Sequence, residues 1–353
     1  MVKIQSVSAD RLIEAIGGTV LHGTTSGINV SYIGEPLEAE ANGVAFVISE
    51  FFVRDVPQTK AEVLVIQTAL AEKVLPQLPP SVRLCIGCKD AYVGLAVFSK
   101  IAADADPRQD WRIETSDDKR IHSRAKIDPT AKIGPGVVVC EGAVIGPRTT
   151  LVANVVVGPE AEIGADCMFF PGVVIYPRTK IGNRVRLHGN VVIGSDGFGY
   201  ARGATGSVKI WHLGRVVIED DVEVGSGSTI DRGTLKDTVI EASVKIDNLV
   251  QIGHNVRVKA HAILCAQVGL AGNASVGVGA ILAGKAGVAD KIVVGDRAVV
   301  GPMTGASKDV EPGEVVMGHH TAKPRREWWR LLALFDRLPE LYDRVKKLEG
   351  KQS

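Results

Sequence analysis

From Ile127 to Ile193 an aliphatic or aromatic residue stands at every sixth position: Ile127, Ile133, Val139, Ile145, Leu151, Val157, Ile163, Phe169, Ile175, Ile181, Leu187 and Ile193. The phase breaks after Ile193, returns at Ile218, Val224 and Ile230, and breaks again by four residues. It then runs from Ile240 through Ile246, Ile252, Val258, Leu264, Leu270, Val276, Leu282, Val288 and Val294 to Val300. A period of six is neither the 3.6 of an amphipathic helix nor the 2 of a half-buried strand. It marks an internal repeat too short to close a core by itself, so successive units must stack as a solenoid. The residue after the aliphatic is often glycine, as at Gly134, Gly146, Gly158, Gly182 and Gly253. Glycine there is expected to supply the positive φ with which a short strand turns a corner.

Hexads such as Ile133-Gly134-Pro135-Gly136-Val137-Val138 resemble the hexapeptide repeat of left-handed parallel β-helices. That resemblance implies three hexads per coil, with residues eighteen apart stacked at roughly 4.8 Å. The fold class expected is mainly β: a left-handed parallel β-helix over residues 121–311, with different structure on both sides.

Residues 1–105 lack the hexad. Ser8 followed by Ala9 to Ile16 and Gly17-Gly18 reads as a capped helix with a glycine stop. Val44 to Ile48 and Val63 to Ile66 read as buried strands, and Thr68 to Leu75 and Ala91 to Lys100 as helical cover. This is a small α/β domain. Residues 106–120 are polar and charged and read as a linker. Within the solenoid, Gly194 to Gly214 is a glycine-rich insertion, and loops that leave a solenoid usually carry function. Residues 312–353 read as helices, with Pro339 restarting one of them. Leu331, Leu334, Leu338, Leu341, Val345 and Leu348 make a heptad seam, suited to packing on the chain's own coil or among several copies. Arg325, Arg326, Arg330 and Arg337 cluster beside it, as a solvated face or as a dock for an acidic partner.

Composition narrows the function. The net charge of +1 draws the chain to neither nucleic acid nor membranes. There is no apolar run long enough to span a bilayer, and Met1-Val2-Lys3-Ile4-Gln5 has no signal-peptide apolar region. Five cysteines are an odd and sparse set, and Cys85 and Cys88 form one CxxC without a second pair. They read as buried thiols in a reducing compartment, so a cytoplasmic protein without a metal site is expected.

The polar residues that interrupt the repeat are where chemistry belongs. Sites are expected in grooves between packed prisms, since a solenoid offers no deep pocket within one chain. His254 stands two residues after the buried Ile252, on the outer surface, with Asp247 and Asn248 one hexad earlier. A lone histidine is usually structural, but an acid or amide nearby can fix the tautomer of a base. Gly272 lies eighteen residues beyond His254, which places a bare backbone N–H one rung above the imidazole. A base beside a fixed N–H donor is the minimum apparatus for acyl transfer.

Four ordered segments make the resemblance specific: Ile193 to Tyr200 (with Asp196, Phe198 and Tyr200), Leu213 to Val216, Thr229 to Thr234 and Ile252 to Val256. Together they resemble the UDP-3-O-(3-hydroxyacyl)glucosamine N-acyltransferase family of lipid A synthesis, and the likeness runs the length of the chain. The resemblance implies a homotrimer that moves an (R)-3-hydroxyacyl group from acyl carrier protein to the 2-amino group of a UDP-linked, acylated glucosamine. No cofactor is implied beyond the phosphopantetheine that arrives on the carrier. It places His254 as general base, Asp247 as its partner acid, Asn248 as a polar site residue and Gly272 as the oxyanion donor. It also places Phe46 and Phe52 around the uracil, with Asp196, Phe198 and Tyr200 toward the substrate. Ser49 and Phe52 stand where the family commonly has Asn and Tyr, and Lys291 stands in the region of a second family histidine. From the residues alone, Phe46 would be core.

Three other readings are weaker. The related O-acyltransferase shares the coil and a histidine base but lacks a domain like residues 1–105. A γ-class carbonic anhydrase needs three histidines on zinc, and His188, His254 and His261 occupy different repeat phases. A purely structural solenoid predicts a featureless outer face rather than the Asp247, Asn248 and His254 cluster.

Overall fold

The computed structural model describes residues 2–106, 120–318 and 322–349. It divides into two compact units, Met1–Met317 and Gly318–Ser353. The expected linker, 106–120, lies mostly outside the described residues.

The first unit opens with an α/β domain: β1 (Val2–Ser8), α1 (Ala9–Ile16), β2 (Thr19–Gly23), β3 (Asn29–Gly34), β4 (Gly43–Val47), β5 (Val63–Gln67), α2 (Ala71–Val74), β6 (Leu84–Cys88) and α3 (Ala91–Asp104). The sheet order is β1-β3-β4-β5-β6-β2. Its centre, β3 to β6, is parallel, and the two edge strands run antiparallel to it. Every residue of β4 and β6 is buried, as expected of parallel strands covered on both faces. Helix α1 begins and ends as its sequence specifies. The Ser8 side chain accepts from the Arg11 N–H, and Gly17 closes the helix at φ 61°. Strands β1, β2, β3 and β6 were not legible as strands. Cys85 and Cys88 are both buried in β6, on opposite faces of the sheet, and burial raises their thiols to about 12 and about 11.

The hexad region forms a left-handed parallel β-helix of three parallel sheets, with nine, ten and nine strands. Residues eighteen apart pair in register, for example Ile145 with Ile163 and Ile252 with Leu270. The period-six residues form one continuous buried column from Val139 to Val300. Each such side chain contributes about 1.5–3 kcal/mol by leaving water. Two-residue strands could not persist without this column and the rung hydrogen bonds. The coil continues past 311: Val315–Val316 pairs with Val299–Val300.

The corner expectation needs correction. Positive φ recurs three residues after the buried aliphatic, at Gly136 and Gly142 but also at Arg148, Asn154, Asn190 and Asn255. The glycine directly after the aliphatic has, apart from Gly194, no positive φ. It is required by close approach of the next rung. A Cβ on Gly134 would lie 1.6 Å from the Val152 carbonyl oxygen, and one on Gly253 would lie 2.9 Å from the Gly272 nitrogen.

Both breaks in the hexad are docking devices for the α/β domain. Ile181 pairs with Ile218 and Ile218 with Ile240, so nineteen and then four extra residues leave the coil. The longer insertion carries a hairpin, Tyr200–Gly203 with Gly206–Lys209. Its Ala201 and Ile210 pack on Ala96 of α3, and the Trp211 N–H donates to Ser99 Oγ at 3.0 Å. Leu213 and Leu235, one from each break, complete the hydrophobic core of the α/β domain. Lys236 pairs with Glu35 at 3.2 Å.

The second unit contains α4 (Arg325–Asp336) and α5 (Leu338–Glu349). Neither helix has a buried residue, and the seam residues Leu334, Leu338, Leu341, Val345 and Leu348 are exposed. Among the described residues no helix is long and apolar enough to cross a membrane.

Candidate active site

A cleft of about 580 Å³ lies within the single chain, between the α/β domain, the long insertion and the coil. The docked domain supplies a second wall that the coil alone lacks. The cleft brings together Phe46, Ser49 and Phe52 from the domain, Phe198 from the insertion, and His254 and Lys291 from the coil. Phe46 is both core and lining. It is 3% exposed and packs 6.0 Å from Phe98, yet its ring reaches the cleft. Phe52 is half-buried and stands edge-on to Phe51. Phe198, 87% exposed, and Tyr200 form an edge-to-face pair at the base of the hairpin. Asp196 is turned to Lys209, at 2.8 Å.

His254 sits on the coil with Gly272 over its ring, as the eighteen-residue rung requires. A Cβ on Gly272 would stand 2.6 Å from both Cε1 and Nε2 of the imidazole. Among the described residues nothing accepts from the Gly272 N–H. On the other side the Nδ1 of His254 lies 2.8 Å from Asn255 Oδ1 and 3.4 Å from Thr234 Oγ1. Asn255 Oδ1 also accepts from the Thr234 backbone N–H at 2.9 Å. That donor assigns the atom as the amide oxygen, an acceptor, and so assigns the proton of a neutral imidazole to Nδ1 and the lone pair to Nε2.

Asp247 and Asn248 are not part of this arrangement within the chain. They follow the strand Lys245–Ile246, on a different sheet from Gln251–Ile252, and line a separate groove with His188, Glu223 and Cys265. The Asp247 carboxylate accepts from the backbone and side-chain amides of Asn248, at 2.8 and 2.9 Å. The Asn248 side-chain oxygen caps the Ser226 N–H at 2.7 Å.

Several residues that the sequence reading passed over cluster at the base. His212, from the insertion, packs edge-to-face on His254 with ring centroids 5.1 Å apart. Its Nδ1 donates to the Ile210 carbonyl at 3.1 Å, and its buried Nε2 has no partner among the described residues. Burial first, and the neighbouring His254 second, lower its pKa to about 4, so it is neutral near pH 7. The glycines around Phe198 make room for both rings. A Cβ on Gly197 would be 2.8 Å from His254 and 3.0 Å from His212, and one on Gly199 would be 2.8 Å from His212. Asp231 accepts from Gln251 and Ser195, at 2.9 and 3.3 Å, and burial raises its carboxyl to about 6. At the rim, burial and then Asp290 raise the Tyr92 hydroxyl, and Asp290 is itself paired with Asn273 and Lys291. Asn255 could have been suspected, since it directly follows His254 at a corner position. His212 carried one signal, its place in the insertion.

Residues 160–195 match the family model "Bacterial transferase hexapeptide (six repeats)". A UDP-3-O-acylglucosamine N-acyltransferase of Coxiella burnetii is 34% identical over 344 residues, 97% of each chain. One from Cupriavidus pinatubonensis is 36% identical over 327 residues, 90% of this chain and 88% of that protein. A third, from Methylobacterium, is 40% identical over 143 residues, and the match spans 40% of its length. Among solved structures, a UDP-N-acetylglucosamine acyltransferase of Francisella novicida aligns at TM-score 0.43 and 28% identity, over 56% of this chain and 66% of that one. With a relative 34% identical along nearly its entire length, the chain belongs to the UDP-3-O-acylglucosamine N-acyltransferase family.

Proposed function

We propose that the protein transfers an (R)-3-hydroxyacyl group from acyl carrier protein to the 2-amino group of UDP-3-O-(3-hydroxyacyl)-glucosamine, giving the 2,3-diacylated sugar nucleotide. The single observation that carries this reading is the base and donor pair: a histidine whose Nδ1 faces the Asn255 side-chain oxygen and whose Nε2 lies beneath a bare backbone N–H. In the proposed step the sugar amine attacks the thioester carbonyl carbon. The C–N bond forms, the amine proton passes to His254 Nε2, and the Gly272 N–H holds the oxyanion. Collapse breaks the C–S bond, and His254 returns the proton to the departing phosphopantetheine sulfur.

Two further features support the substrates. Phe46 and Phe52 flank the domain side of the cleft, where a uracil can stack, with Ser49 as a polar neighbour. Lys291 stands at the same cleft, where its ammonium can meet phosphate. Gly269, Gly287 and Gly305 are paired positions of successive rungs, and the trough of about 470 Å³ that they line suits an acyl or pantetheine arm.

In this reading the protein is a cytoplasmic homotrimer without a resident metal or cofactor. Asp247 and Asn248, remote from His254 within one chain, would meet a site only across a contact between copies. Arg325, Arg326, Arg330 and Arg337 would receive the acidic carrier.

The test is incubation of the purified protein with 3-hydroxyacyl carrier protein and either the 3-O-acylated amino sugar nucleotide or UDP-N-acetylglucosamine. Mass spectrometry should show one added acyl group, linked as an amide, only with the former. Acylation of the latter at oxygen would replace this reading with the O-acyltransferase one.

A further inference from the structure

We propose that Asn255, and not Asp247, is the positioning residue that sets the tautomer of His254. The inference rests on His254 acting as the base, but its first readout does not require turnover.

The geometry begins with the four-residue break in the hexad. At an undisturbed corner the N–H of the third residue after the aliphatic donates to the rung below, as Asn273 N–H does to the His254 carbonyl at 2.8 Å. At Asn255 the loop 232–236, which takes up the four extra residues, has displaced that acceptor. Its N–H instead donates to Thr238 Oγ1 at 2.9 Å. The displaced loop leaves the Thr234 N–H without a rung partner, and Asn255 Oδ1 accepts from it at 2.9 Å. One oxygen thus bridges a fixed backbone donor and His254 Nδ1. Asn255 is 8% exposed and holds φ 64°, a conformation that asparagine tolerates better than most residues. The side chain is therefore held by the Thr234 N–H on one side and the imidazole on the other, and cannot rotate away without orphaning the Thr234 N–H.

The consequence is directional. An acceptor on Nδ1 retains the proton there, which leaves Nε2, beneath Gly272, as the nitrogen able to take a proton from the substrate. The other groups around the imidazole do not supply this. His212 meets the ring at its edge through carbon and a neutral nitrogen, Thr234 Oγ1 is at 3.4 Å, and Asp231 is engaged by Gln251 and Ser195.

The experiment is ¹⁵N NMR of histidine-labelled full-length protein, with kinetics alongside. Wild type should show His254 as the Nδ1–H tautomer. Asn255→Gly keeps the backbone conformation and removes the amide, and it should mix the two tautomers and lower kcat by roughly tenfold or more. Asn255→Asp keeps the acceptor and adds charge. It should retain the Nδ1–H tautomer and move the acidic limb of kcat/KM to higher pH by about one unit or more, because a carboxylate favours the imidazolium. If the Nδ1–H tautomer persists in Asn255→Gly but is lost in Asp247→Asn, the proposal is overturned and the acid acts across copies. A tautomer shift in Asn255→Gly without any acyl transfer by wild type would retain this inference and remove the proposed function. Should Asn255→Gly fail to fold, the limb shift in Asn255→Asp decides, and an unmoved limb counts against the proposal.

Discussion

Gly272→Ala is the sharpest probe of the rung above the base. Gly272 has no positive φ, so alanine costs no backbone strain there. The added Cβ, however, would sit 2.6 Å from Cε1 and Nε2 of His254 and 3.2 Å from Cδ2. Carbon–carbon contacts relax to about 3.5–4.0 Å. The ring must therefore move by about 1 Å, or the rung must open. Moving the ring strains the bond to Asn255 and carries Nε2 off the line of attack. A 1 Å misplacement is worth up to about 10² in rate. The methyl also covers the N–H proposed for the oxyanion, and losing one such donor costs about 10²–10³. The two effects overlap, so kcat should fall by about 10²–10³ while thermal stability changes little. Steady-state acylation with both substrates varied, beside a thermal melt, measures this. A folded Gly272→Ala protein with kcat within threefold of wild type would show that the imidazole and this N–H do not act together.

Phe52→Ala should raise KM for the sugar nucleotide about tenfold, from roughly 1–3 kcal/mol of lost stacking, and leave KM for the carrier unchanged. Phe46 is core as well as lining, so Phe46→Leu is the usable variant, and it should show a similar KM effect with some loss of Tm. His212 has a folded pKa of about 4 against an ordinary 6.5, so between those values the unfolded chain binds a proton that the folded one refuses. Its contribution to stability is therefore complete above pH 6.5 and lost as pH falls toward 4. Asp231, raised to about 6, acts in the opposite sense over much of that window. The Tm difference between wild type and His212→Gln isolates the histidine and should shift against wild type as pH drops, whereas a pH-independent difference would refute the assignment. The doubly substituted Arg325→Glu/Arg326→Glu should raise KM for the carrier at low salt, with the increase shrinking as salt screens it, while KM for the sugar stays constant. No change at low salt would leave α4 without a role in docking.

The coil was legible because its signal is redundant: one buried aliphatic per hexad, repeated over many rungs, outweighs any local ambiguity. Gly272 above His254 followed from that register alone. The role of the glycine after each aliphatic did not, because a sequence does not distinguish a residue that needs positive φ from one that needs an absent side chain. The strand Leu84–Cys88 was hidden by the CxxC pattern and by Gly87, neither of which looks like a strand interior. Asp247 does not meet His254 within one chain, for a geometric reason. Asp247 is near in sequence, but the prism turns a corner between Ile246 and Ile252 and carries it to another face. Asn255 became the partner only through the four-residue break, which repositions Thr234. The two breaks were visible as interruptions. That they seat the α/β domain, and so create the cleft, depends on Trp211, Leu213 and Leu235 reaching a core formed more than a hundred residues earlier.

The central claim is that His254 removes the proton in an acyl transfer to an amine. The measurement that meets it most directly is the turnover of purified His254→Ala with 3-hydroxyacyl carrier protein and the acylated amino sugar nucleotide, beside wild type at the same pH. The side chain lies outside the buried column, so the variant should keep the fold and melt of wild type. Its kcat should drop by about 10²–10⁴, the usual worth of a positioned general base. A folded His254→Ala protein that forms the amide product at close to the wild-type rate would contradict the account.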